Sequence, residues 1–282
     1  VLDATKDFML DRLDDALEPI ARLLTGKSEW DEMKKNALLA TVSAEGGARV
    51  VAEGLAVLAK QGVDIHLVGH SAGSIFLAPL VQYLVSKGAM NSGPMAGSKV
   101  DGLGATVASC HLWAPACTVK LFQETYLEPI RDKRIGQFGL FTLTDQAERD
   151  DNCAHVYNKS LLYLVSDAFE DQVRIPLIRP DGEPILGMES FIRSDPALSG
   201  LFQSGANADW VRAPNDLPKG NQSASQARHH GDFDNDEATV RATLARILGQ
   251  RQTPQSMAIP QSTSELAQRR RQVDRASTIG RR

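Results

Sequence analysis

One serine stands in a setting that would change its chemistry. The run Asp64-Ile65-His66-Leu67-Val68 leads straight into Gly69-His70-Ser71-Ala72-Gly73, and the apolar segment 75–85 follows. That order reads as strand, sharp turn and helix with Ser71 at the apex. Such a turn strains the serine backbone and lifts the hydroxyl above the end of a sheet. Gly69 and Gly73 are expected there because a side chain at either position would crowd the strand against the helix. The first amides of the helix favour negative charge beside the serine. A hydroxyl is a poor nucleophile at neutral pH. It needs a base to take its proton, and the base needs an acid to hold its tautomer and stabilise its charged form.

Gly-His-Ser-Ala-Gly between a strand and a helix resembles the nucleophile elbow of the α/β-hydrolase superfamily, where it is a common form among esterases and lipases. The likeness is specific at the elbow; elsewhere it rests on the order of elements. It implies an α/β-hydrolase core with a mostly parallel sheet flanked by helices. It also implies a serine hydrolase that cleaves a small-molecule carboxylic ester through an acyl-enzyme, with no cofactor, and the chain order serine, acid, histidine. Of the six histidines, His66 and His70 lie on or beside the elbow strand, His111 within a strand pattern, and His155 in the loop after Asp145. His229 and His230 alone follow the last candidate strand and precede a helix, where the resemblance places the base. His230 is preferred, because Gly231 leaves the loop free to aim its ring; His229 is the runner-up. Asp145 is the expected acid if 157–170 is helix, and Asp167 if it is strand; Asp150 and Asp151 are less well placed. The backbone N–H of Ala72 is the expected oxyanion donor. A thioesterase, amidase or acyltransferase would use the same three residues. A reading from another class is a hydrolase-fold interaction module that keeps the elbow without turnover.

His229-His230-Gly231-Asp232-Phe233-Asp234 could also suggest a metal cluster. A calcium loop would need glycine at Glu237 and glutamate at Thr243, so that pattern fails and no metal is expected. Asp234 with Glu237 three residues on reads instead as a helix N-cap with a capping box.

The elements that must position these groups follow from periodicity. Residues 3–24 carry Met9, Leu13, Leu17, Ile20 and Leu24 at helical spacing, and Gly26 is a plausible stop. A second helix opens at Ser28 with Met33, Leu38 and Leu39, and Gly46-Gly47 breaks it. A third runs over 48–60 with Val51, Leu55 and Leu58 on one face. No strand pattern precedes Val63, and no His-Gly loop is found there for a second oxyanion donor. The expectation is a chain that forms the C-terminal part of a longer hydrolase, lacking N-terminal strands. Segment 75–85 is apolar on nearly every side, as a central helix would be, and Pro79 should kink or divide it. Strands are expected over 107–115, 138–145 and 208–212, and a helix over 121–134. Segment 157–170 is ambiguous and is read as helix, because helices and strands alternate. The last helix follows residue 236, with Val240, Leu244 and Ile247 facing the core.

With 282 residues, 42% of them hydrophobic, the chain is long enough for one sizeable α/β domain, taken as 1–250. The net charge of −4 gives no overall pull towards nucleic acid, which is not an expected partner. Three cysteines without pattern read as thiols in a reducing compartment, so the cytoplasm is expected. No apolar run is long enough for a membrane span. The tail 251–282 is polar and basic, with Arg269, Arg270, Arg271, Arg275, Arg281 and Arg282, and is expected to be disordered.

Overall fold

The computed structural model describes residues 2–153, 157–175, 178–205 and 207–249, with the backbone alone for residues 2–11. The tail 251–282 and His155 lie outside the described residues. Helix α1 (Leu2–Ala21) runs through a π turn (Arg22–Gly26) into α2 (Lys27–Val42), kinked at Thr25, and α3 (Gly47–Lys60) follows. Then come β1 (His66–His70), α4 (Gly73–Val85), the short pair β2 (Lys87–Ala89) and β3 (Asp101–Leu103), and β4 (Val107–Trp113). Helix α5 (Val119–Phe122) continues through Gln123–Leu127 into α6 (Glu128–Arg131), and β5 (Ile135–Leu143) follows. After α7 (Asp145–Asp150), α8 (Leu161–Leu164) with the π turn Val165–Phe169, α9 (Glu189–Ser194) and α10 (Pro196–Gln203), the chain returns as β6 (Ala208–Ala213) and ends in α11 (Glu237–Ile247). Segment 157–170 is thus helical from Leu161 on, as alternation required.

The sheet has the order β1-β4-β5-β6 and is parallel throughout. Parallel neighbours need a crossover, and each return through helix brings the next strand in with the same direction. The C-terminal ends of all four strands therefore share one edge. Ser71, the loop after Trp113, α7 and the long loop to His230 all leave from it. No strand precedes β1 among the described residues, and β1 pairs there with β4 alone.

Helix α4 lies inside the fold, buried from Ser74 to Val85 except at Phe76, and continues unbroken through Pro79. Phe122, Tyr126, Ile130, Phe138 and Leu140 fill the core beside it.

Three helices do not bury the faces that periodicity favours. On α3 the buried residues are Ala48, Ala52 and Ala56, while Val50, Val51, Val57 and Leu58 are exposed. Alanines let α3 lie close against α2 and α4, and the larger side chains point to where no described element covers them. On α11 Ala238, Thr239, Ala242, Thr243 and Ala245 are buried, while Val240, Leu244 and Ile247 stay at the margin. On α1 Asp14 and Glu18 are buried while Leu13 and Ile20 are exposed. Glu18 accepts from the Tyr157 hydroxyl at 3.0 Å, and Asp14 accepts from the Asn158 backbone at 3.0 Å, so polar partners draw that face inward. The cap of α11 is Asp236, which accepts from the amides of Ala238 and Thr239, and not Asp234.

Candidate active site

Ser71 has φ of +52°, a left-handed conformation that a side chain adopts only when its surroundings impose it. They do so here through hydrogen bonds on both sides of the peptide. The Ser71 amide donates to Trp113 O at 2.9 Å, and Ser71 O accepts from the Ala116 amide at 3.1 Å. The Ser74 hydroxyl donates to Ser71 O at 2.7 Å and accepts from the Cys117 amide at 3.0 Å. The Tyr126 hydroxyl donates to Ser74 O at 2.7 Å. Turn, helix start and the loop after β4 thus form one hydrogen-bonded unit. Gly69 is required by close approach, since a Cβ there would come 2.8 Å from Leu77 Cδ1. Gly73 is not, because a Cβ there would meet nothing within 4 Å.

His230 reaches this apex from 159 residues away, with Nε2 2.8 Å from Ser71 Oγ. Its backbone amide donates to Asp151 Oδ2 at 2.8 Å. The other oxygen of that carboxylate, Oδ1, is 2.8 Å from His229 Nδ1 and accepts from the Asn152 amide at 2.8 Å. His70 Nε2 lies 3.0 Å from the His230 carbonyl, so a donor tautomer of His70 fixes the same peptide from the other side. The His70 ring packs 5.5 Å from that of His230 and 6.3 Å from that of Phe233. Burial pulls the His230 pKa down to about 4; nearby His70 adds to this and Asp151 opposes it. The ring is therefore a neutral base at neutral pH. Accepting from Ser71 at Nε2 puts its proton on Nδ1, a buried atom with no hydrogen-bond partner among the described residues.

Asp145 does not join this group. It opens α7 just after the Thr144 cap, and its carboxylate accepts from the Tyr163 hydroxyl at 2.9 Å and from Arg149 Nε at 3.0 Å. The acid that meets the two histidines is Asp151, at the other end of α7. A helix of less than two turns follows β5, so the carboxylate that meets the histidine loop stands eight residues beyond the strand's end and six beyond Asp145. The paired acids Asp150-Asp151 were the visible signal. Asp167 lies in the π turn after α8, its pKa pushed up to about 7 by burial and by Glu18, against the opposing charge of Arg174. It does not meet His230. His229 is present, but it binds the acid and leaves Ser71 to His230. Ala72 stands directly before α4, where first-turn amides have no acceptor within the helix.

Two further groups near the sheet are unusual. His111 on β4 is fully buried with both ring nitrogens unpartnered among the described residues, and burial holds its pKa down to about 3. Glu148 on α7 is buried beside the Ser160 hydroxyl, and burial together with Asp151 and Asp145 raises its pKa to about 8. Both are therefore neutral near pH 7.

A cleft of about 380 Å³ opens against His229, His230 and Gly231. A larger one, about 450 Å³, lies along β6 beside Trp210 and Arg212 and includes none of these groups; Ser71 lines neither, and the smaller reaches it only through His230. No helix among the described residues is long and apolar enough to cross a membrane. No family model, no curated protein and no solved structure matches the chain.

Proposed function

We propose that the chain is a serine hydrolase of the α/β-hydrolase type, cleaving a carboxylic ester through an acyl-enzyme. The observation that carries this reading is the 2.8 Å contact between His230 Nε2 and Ser71 Oγ, with the serine held at φ +52°. A neutral base within hydrogen-bond reach of a hydroxyl on a pinned turn is what attack on a carbonyl needs. Ser71 Oγ bonds to the carbonyl carbon as its proton passes to His230 Nε2. The carbonyl oxygen becomes an oxyanion beside the Ala72 amide at the start of α4. The carbon–oxygen bond to the alcohol then breaks, and the departing oxygen takes the proton from Nε2. Water repeats the sequence on the acyl group and releases the acid. Asp151 stands nearest this base in place of Asp145, but it leaves Nδ1 without a partner among the described residues, so it does not hold the tautomer directly. It anchors the His230 backbone, and its charge favours the imidazolium that forms.

A second reading has its own observation. β1 has a free edge among the described residues, and α3 exposes valines and leucine, as an interaction module without turnover would. A fluorophosphonate probe separates the two. Covalent labelling at Ser71, lost in Ser71→Ala while the fold stays intact, is expected of the hydrolase. An unlabelled wild type overturns it. The pH profile of labelling adds a second check. His230 is the free base above its pKa, so the rate should hold from neutral pH to roughly pH 5 and fall to half near pH 4. A limb centred near the ordinary histidine value of about 6.5 contradicts a buried ring without an Nδ1 partner.

A further inference from the structure

We propose that the cleft beside His230 receives the alcohol part of the ester and selects a small, uncharged alcohol that carries hydroxyl groups. This rests on the acyl-transfer reading of Ser71 and His230. His230 Nε2, 2.8 Å from Ser71 Oγ, must also hand the proton to the oxygen that leaves. The departing oxygen therefore has to come within hydrogen-bond reach of Nε2, and the body of the alcohol extends on the His230 side. The cleft is lined by His230, whose ring contacts Ser71, and not by Ser71 itself; it has about 380 Å³, room for an alcohol of a few carbons placed on the His230 side of that contact.

Its lining sets the chemistry. Asp151, Asn152, His229, His230, Cys153 and Gly231 form it with a single aliphatic side chain, Leu161. The Asp151 charge is already engaged, since its oxygens meet His229, the His230 amide and the Asn152 amide. No unanswered carboxylate calls for a cationic alcohol. The Asn152 side-chain carboxamide and the His229 ring supply donors and acceptors, and the His229 side chain is 55% exposed. An alkyl alcohol would cover these groups without replacing their water, whereas hydroxyls would replace it.

The cleft also carries a chemical handle. Cys153 is half-buried, while Cys110 and Cys117 are fully buried with thiol pKa values pushed up to about 12. Burial raises the Cys153 thiol as well, so it should be alkylated at mildly alkaline pH.

Two acetates of equal carbon count make the test: 2,3-dihydroxypropyl acetate and propyl acetate. The wild type should favour the diol ester by roughly tenfold in kcat/KM, mostly through KM. Asn152→Leu, which removes polarity at similar volume, should erase most of that preference. N-ethylmaleimide on Cys153 should lower it by filling the cleft, and Cys153→Ser should be insensitive to the reagent. Equal turnover of the two acetates, or a preference that survives both Asn152→Leu and alkylation, overturns the assignment. Fluorophosphonate labelling of the same samples distinguishes the failures. A labelled Ser71 with no alcohol preference sinks the cleft assignment alone. An unlabelled Ser71 with neither ester cleaved sinks the acyl-transfer reading, and this inference with it.

Discussion

At the residue scale, the two ends of α7 have opposite prospects. Asp145 is partly exposed and bound to Tyr163 and Arg149, whereas Asp151 is buried against both histidines of the loop. Asp151→Asn keeps size and removes charge. It should lower kcat for an aryl ester by at least about 10²-fold, and the loss approaches the 10⁴ of a fully hydrogen-bonded acid only if the carboxylate meets Nδ1 during turnover. Asp145→Asn should change kcat by no more than a few-fold, since its contacts end at α8 and the surface. Rates of both variants with one activated ester check this, and a damaging Asp145→Asn beside a harmless Asp151→Asn refutes it. The serine was legible because glycines, strand and helix pattern all converge on it. His230 was legible from its place between the last strand and the last helix. The carboxylate beside the histidine loop, Asp151, was not, because helix α7 displaces it from the strand end by a distance that periodicity does not register.

At the element scale, small residues decide how these helices pack. Ala52 on α3 has no exposed surface, and α3 lies against α2 and α4 there. Ala52→Leu should cost about 1–3 kcal/mol by overpacking, while Val57→Ser should change stability by less than about 0.5 kcal/mol. Denaturant midpoints at constant slope measure both, and a costly Val57→Ser paired with a neutral Ala52→Leu would reverse the assigned faces. This also shows why the strands were read well and the helix faces were not. A buried parallel strand such as Val107–Trp113 or Ile135–Leu143 needs nearly every residue apolar, and no other reading fits. A helix offers two apolar faces when alanine and valine alternate around it. Pattern picks the larger residues, while packing density picks the ones that allow close approach. On α1 the rule fails for another reason, because Asp14 and Glu18 are drawn in by Tyr157 and Asn158, partners that lie far away in sequence.

At the scale of the whole molecule, the exposed apolar residues include a run on one helix, α3. Val50, Val51, Val57 and Leu58 of α3 are exposed, as are Val68 on β1 and Phe76 on α4. Exposed apolar residues gathered on one element favour association, and a net charge of −4 opposes it only weakly. The protein should show concentration-dependent association in sedimentation, and Val51→Glu combined with Val57→Glu should reduce it. A wild type that stays monomeric at every concentration refutes this. The strand that presents Ser71 also has an open flank among the described residues. Ile65 O and the Ser71 amide both bond towards β4, so by alternation the amides of His66, Val68 and His70 turn the other way. The strand that leads to Ser71 is thus gripped from one side, and three of its five amides face the flank where no strand lies among the described residues. In heavy water, His66 and Val68 should take up deuterium well before Leu67 and Gly69, their immediate neighbours on the same five residues. A cover laid along that flank would slow the first pair and leave the second unchanged, so the isotope would read its presence one residue at a time.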